Sequence, residues 1–196
     1  MSDKTISRRT VTAGVAWAVP TVVIAGAVPA FAVSKGTVTL TQLSNGCKQP
    51  GDSCDKNPWN VSKGYLLKVK LCSSVAAPVS VTIQPASVTF NGEAKTMALD
   101  VSDQSLPAGW TGTQSGSNLI VTAPAATGGV PVCADLVFSL TNATSENANI
   151  QGSAAFTWTT IAPAPPRTGS GSLILSVSAT NPCNNCQPPA SPPPAP

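Results

Sequence analysis

Apolar residues along this chain fall in short, β-branched runs that alternate with polar ones at a period of two, the mark of half-buried strands. Tyr65, Leu67, Val69 and Leu71 alternate with Leu66, Lys68, Lys70 and Cys72. Val132, Ala134, Leu136, Phe138 and Leu140 alternate with Cys133, Asp135, Val137 and Ser139. These two runs predict the best-defined strands, each turning one face inward. Shorter strands are predicted at 37–41, 79–83, 88–90, 96–101, 118–122, 154–160 and 172–180. Asn91-Gly92 is the strongest hairpin signal, because the tight two-residue turn needs positive φ at both central residues. Gly, Pro, Asn and Asp separate the runs, and no amphipathic helix pattern occurs. The whole reads as an antiparallel β-sandwich of 7–9 strands over 33–180, with a barrel as the alternative. The Ala/Pro-rich stretch before Arg167 is expected to be a long loop between the last two strands.

The two ends depart from this pattern. Ser7-Arg8-Arg9-Thr10-Val11-Thr12 is followed by a run of small apolar residues and then by Ala30-Phe31-Ala32. A positive segment, an apolar segment and small residues at the last and third-last positions form a secretory signal peptide, cleaved after Ala32. The paired Arg8 and Arg9 point to twin-arginine export. The Phe-Leu-Lys that completes that pattern is missing, so the general secretory route stays open, as does an uncleaved anchor. This stretch resembles the signal peptides of actinobacterial secreted proteins, which implies a bacterial source and a route of export but no activity. At the other end, 181–196 holds Cys183-Asn184-Asn185-Cys186 and then a proline-rich tail, a composition that favours extended polyproline II over a packed core. It reads as a disordered end or as a spacer through the cell wall. No Leu-Pro-x-Thr-Gly pattern is present, so covalent wall attachment by sortase is not expected.

Removing 1–32 changes the charge picture. The chain carries eleven cations and eight anions, a net of +3, but Lys4, Arg8, Arg9 and Asp3 lie in the signal, leaving eight against seven. A nearly neutral domain has no electrostatic footprint for nucleic acid and no polybasic membrane patch, so membrane contact is expected only during export. Six cysteines, Cys47, Cys54, Cys72, Cys133, Cys183 and Cys186, remain outside the signal. In an exported chain an even count reads as disulfides. Cys72 and Cys133, near the ends of the two best strands and on their more polar faces, fit a cross-strand or rim bridge worth about 4 kcal/mol in the chain-entropy model. Cys47 with Cys54, and Cys183 with Cys186, are expected to pair locally, although six cysteines allow 15 connectivities. Zinc is disfavoured because the chain has no histidine and a single CxxC. A redox role for that CxxC would need a helix N-terminus, which its Pro-rich flanks do not supply.

Candidate chemistry is sparse. No histidine can serve a serine or cysteine nucleophile, and nothing pairs the acids across a cleft in the way glycoside hydrolysis needs. Asp52 and Asp55 flank Cys54 and could hold calcium, though they are equally ordinary turn residues. Asn60-Val61-Ser62 and Asn142-Ala143-Thr144 match the glycosylation sequon, a chance match in a bacterial chain. Trp59 and Trp110 sit in turn-rich segments and are candidate ligand contacts, since a loop tryptophan can stack on a sugar or anchor a partner. They can equally fold back over the end of the sandwich. Trp158, in a strand, reads as core.

Leu106-Pro107-Ala108-Gly109-Trp110-Thr111, followed by 118–124 and 135–140, resembles the Ig-like repeat domains of bacterial surface proteins. That resemblance implies an Ig-like sandwich at the cell surface and transfers no functional residue. The expectation is therefore a non-catalytic protein of the envelope or extracellular space, without a cofactor or metal. It would act in surface structure, adhesion or assembly, with a cell-wall polymer or another surface protein as partner. The alternative is a glycan- or peptide-binding module that uses the loop tryptophans.

Overall fold

The computed structural model describes residues 36–49, 63–102, 105–141, 148–184 and 187. The signal residues Arg8, Arg9, Ala30 and Ala32, together with Asp52, Cys54, Asp55, Trp59, Cys186, both sequons and the proline-rich tail from 188 on, lie outside them.

Twelve strands form among the described residues: β1 (Val38–Gln42), β2 (Gly46–Lys48), β3 (Tyr65–Ser73), β4 (Val79–Ile83), β5 (Ala86–Phe90), β6 (Glu93–Met97), β7 (Leu99–Val101), β8 (Thr111–Ser115), β9 (Asn118–Ala123), β10 (Val132–Leu140), β11 (Ile150–Thr160) and β12 (Thr168–Pro182). Hydrogen bonding runs β7-β10-β3-β2-β12-β11-β4-β9-β8, with β1 also on β3 and β5 between β11 and β6. The fold is a sandwich-like, mixed sheet. Two corrections follow. The strand count exceeds seven to nine, because β2 and β7 are only three residues long and β8 has no apolar residue to announce it. The sheet is also not wholly antiparallel, since β2 pairs with β12 in parallel.

The inner faces follow the alternation of the sequence. Tyr65, Leu67, Val69 and Leu71 of β3 and Ala134, Leu136, Phe138 and Leu140 of β10 meet Val79, Val81 and Ile83 of β4, Phe156 and Trp158 of β11, and Leu173, Leu175 and Val177 of β12 in one buried cluster. Two backbone layers result, one built on β1, β2, β3, β10 and β7, the other on β12, β11, β4, β5, β6, β9 and β8. Tyr65 anchors the end of the core. It is fully buried, and its hydroxyl donates to the Ala148 carbonyl at 2.9 Å, which satisfies the one polar atom it carries inside.

Local chemistry explains the turns. Asn91 (φ 53°) and Gly92 (φ 82°) form the β5–β6 hairpin, and Gly116 (φ 61°) opens the two-residue β8–β9 turn. The stretch 161–167 is the β11–β12 loop, held by Thr160, whose hydroxyl donates to the Pro165 carbonyl at 2.7 Å and accepts from the Arg167 N–H at 2.9 Å. The start of β12, Thr168-Gly169-Ser170-Gly171, has a turn-like composition. It is nonetheless extended, because the rings of Trp158 and Phe156 lie over Gly169 and Gly171, their cross-strand partners.

The layers meet unevenly at their long edges, and at each a glutamine bridges to the backbone of the other layer. Gln42 of β1 donates through Nε2 to the Ser176 carbonyl of β12 (2.6 Å) and accepts the Ser176 N–H through Oε1 (2.9 Å). Gln114 of β8 donates to the Leu99 carbonyl of β7.

Candidate binding face

Registers across β8, β9, β4, β11 and β12 place like positions side by side. Thr111, Thr122, Ser80, Thr159 and Thr168 form one row, and Thr113, Ile120, Thr82, Thr157 and Ser170 form the next. Every member but Ile120 bears a hydroxyl. Strand spacing of about 4.8 Å and a two-residue repeat of about 6.7 Å set the grid. The rows stand on the outer face because their neighbours Val79, Val81, Leu119, Val121, Phe156 and Trp158 point into the core. Over the β4, β11 and β12 part of the grid lies an open groove of about 360 Å³ lined by Ser80, Thr82, Thr157, Trp158, Thr159, Thr168, Gly169 and Ser170. A second open depression, about 400 Å³, lies beside the β5–β6 turn and is lined by Thr89, Asn91, Gly92, Asn149 and Gln151.

None of the residues lining either depression is charged. The outer face of the opposite layer differs. There Lys68 and Lys70 of β3 share a face with Leu66, and Lys70 Nζ lies 3.7 Å from Asp135 Oδ1 of β10. Both side chains are about half exposed, so this pair contributes under about 1 kcal/mol. The two faces thus differ in kind: one mixes charge, apolar atoms and disulfide, and the other is a neutral field of hydroxyls and amides.

The cysteines sit on the charged side. Cys72 and Cys133 are cross-strand partners of β3 and β10, joined with a Cα–Cα distance of 4.1 Å. Cys47 of β2 is joined to Cys183, which follows β12, across 136 residues of sequence. This corrects the local pairings: Cys47 is not bonded to Cys54, nor Cys183 to Cys186. The reason is the parallel β2–β12 pairing, which brings the two chain regions together, with the Cys183 N–H donating to the Lys48 carbonyl at 2.9 Å. The bridge covers Leu66 and Val137, forming a small apolar cluster outside the main core, so β3 begins buried on both faces.

Trp110 needs the second correction. It is 8% exposed and belongs to the core, leaving little surface for a ligand. Pro107-Ala108-Gly109-Trp110 is a β-turn closed by the Trp110 N–H donating to the Pro107 carbonyl at 3.1 Å, with Gly109 at φ 85°. That turn leads into β8 with the Trp110 indole in the main core. The hydroxyl rows, conversely, escaped sequence reading. Their signal was present as uncharged Ser and Thr at alternate positions of several strands, but it gains meaning only once the strands are in register.

No protein-family model and no curated protein sequence matches the chain. Among solved structures it is similar to AggA, the major subunit of aggregative adherence fimbriae type I from Escherichia coli, at 11% identity over 73% of this chain and 95% of that one, with a TM-score of 0.38. It is similar to BcpA, the major pilin subunit of Bacillus cereus, at 11% identity over 72% of this chain but 40% of that one, with a TM-score of 0.37. It is also similar to ACE19, the collagen-binding subdomain of the Enterococcus faecalis surface protein ACE, at 8% identity over 71% and 95%, with a TM-score of 0.30.

One titratable group stands out. Lys48 is 4% exposed, and its Nζ lies 4.5 Å from the Tyr65 ring centroid and donates to the Lys63 carbonyl. Burial, with Lys95 nearby, lowers its pKa from 10.5 to about 8. The cation–π contact and the carbonyl favour the charged form, but the loss of water outweighs them.

Proposed function

We propose that this chain is a non-catalytic, exported protein of the cell envelope or extracellular space that acts in surface structure, adhesion or assembly. Its contact surface is the neutral hydroxyl face. The observation that carries this reading is the charge asymmetry: hydroxyl rows run across five adjacent strands of one layer without a charged side chain, while Lys68, Lys70 and Asp135 occupy the other. Such a face recognises a neutral partner, a cell-wall polymer or the polar surface of another protein, through many weak hydrogen bonds rather than ion pairs. Two disulfides support an oxidising compartment, in keeping with the signal read at 1–32 and cleavage after Ala32. No side chain that lines the groove is a base able to activate its hydroxyls for attack.

Retention of the purified chain on cell envelopes, separated into polysaccharide and protein fractions, tests the reading. Thr82→Lys with Thr157→Lys puts two charges in the groove, and Thr41→Lys puts one on the opposite layer. The account expects at least about a tenfold loss of retention for the groove variant, since each 1.4 kcal/mol is tenfold, and none for Thr41→Lys. Equal retention of all three proteins would rule out the hydroxyl face as the contact.

A further inference from the structure

We propose that the β8 edge is a homotypic docking strand, at which a second copy of this chain pairs antiparallel, centred on Thr113. This goes beyond the reading above, which concerns a face and not an edge. β8 pairs with β9 alone among the described strands. The two-residue turn at Gly116-Ser117 makes Ser115 and Asn118 a hydrogen-bonded pair. Alternation then bonds Thr113 and Thr111 to β9 and turns the N–H and C=O groups of Gly112 and Gln114 outward.

That spacing is self-complementary. A twofold axis at Thr113 sets Gly112 opposite Gln114 of the second copy, and Gln114 opposite its Gly112, giving four backbone hydrogen bonds. The two Thr113 side chains then form the close, non-bonded pair at the centre. Pairing in this register would continue the hydroxyl rows from one copy into the next.

The β6, β7 and β12 edges carry features that discourage pairing, and β8 does not. β6 bears Glu93 and Lys95, and β7 bears Asp100, whose carboxylate accepts the Val101 N–H at 2.8 Å. The open half of β12 starts beside Arg167, carries two glycines, and has Gln42 of β1 bonded at Ser176. β8 reads Thr-Gly-Thr-Gln-Ser, without charge or proline, and is mostly exposed. A second copy therefore meets no like charge there. A five-residue ribbon falls short of the roughly 1,200 Å² of a stable interface, so the contact is weak in dilute solution and strengthened where copies are held close together.

Site-specific crosslinking of the full chain tests this. Thr113→Cys places two thiols opposite each other at the axis, whereas Ser115→Cys places its thiol opposite Thr111. Under mild oxidation the account expects a covalent dimer from Thr113→Cys at least about ten times faster than from Ser115→Cys. Sedimentation equilibrium of the unsubstituted chain is expected to show a concentration-dependent dimer that Thr113→Lys abolishes without changing the thermal unfolding midpoint. A monomer at every concentration up to millimolar, or equal crosslinking of the two cysteine variants, would overturn the proposal.

Discussion

Gly171→Ala sets two effects of known sign against each other. In a strand, Ala is favoured over Gly by about 0.5–1 kcal/mol through backbone entropy. Here the added Cβ would stand 2.4 Å from Phe156 Cζ and 2.7 Å from its Cε1. Phe156 is 3% exposed in the core, so the ring cannot swing away freely. Overpacking of this kind costs about 1–3 kcal/mol. The clash wins, and a net loss of about 1–2 kcal/mol is expected from urea unfolding followed by tryptophan fluorescence, with Trp158 as a nearby reporter. The same substitution in a Phe156→Leu background meets no ring and is expected to be neutral or stabilising by about 0.5 kcal/mol. The coupling between the two sites should thus be about 2 kcal/mol. If Gly171→Ala is stabilising in the native background, or the two sites prove additive, the view that β12 opens as a strand because aromatic rings cover its glycines is wrong.

Three further outcomes follow from the same geometry. Tyr65→Phe removes the hydroxyl that donates to the Ala148 carbonyl and should cost about 1–3 kcal/mol by urea unfolding. Lys48 binds a proton less tightly folded, near pH 8, than unfolded, near 10.5. Its charge therefore destabilises most below pH 8, and stability recovers as pH rises from about 8 to 10.5; Lys48→Met should remove about 1 kcal/mol of gain between pH 7 and 9 in paired unfolding curves. Peptide mapping without reduction should return Cys47 with Cys183 and Cys72 with Cys133.

What the sequence disclosed depended on whether a strand had an apolar face. β3, β10 and β4 alternate in sequence because each turns one face into the common core, even though the Cys47–Cys183 cluster also covers Leu66 and Val137 on the other face, and Asn91-Gly92 announces its turn through backbone chemistry alone. β8 could not be read: its outer positions are hydroxyls and its inner ones are Gly112 and Gln114, so neither face is apolar. Gly112 is required there, because a Cβ would stand 2.4 Å from Val101 Cγ1. Cys47 and Cys183 were misread for another reason. Proximity in sequence favours local bridges, and only the parallel β2–β12 pairing overrides it. Trp110 was ambiguous because a turn rich in Pro and Gly can either present a side chain or tuck it inward, and Gly109 decides for the latter. The hydroxyl face is a property of register, which no single strand encodes.

The central claim, that this is an exported, disulfide-stapled domain acting at the cell surface, is most directly tested by fractionating cells that express the full chain and measuring the intact mass of the protein in each fraction after thiol blocking. The account expects the protein in the envelope or medium, shortened by residues 1–32 and with no blockable thiol. A full-length chain with free cysteines in the cytoplasm would contradict it.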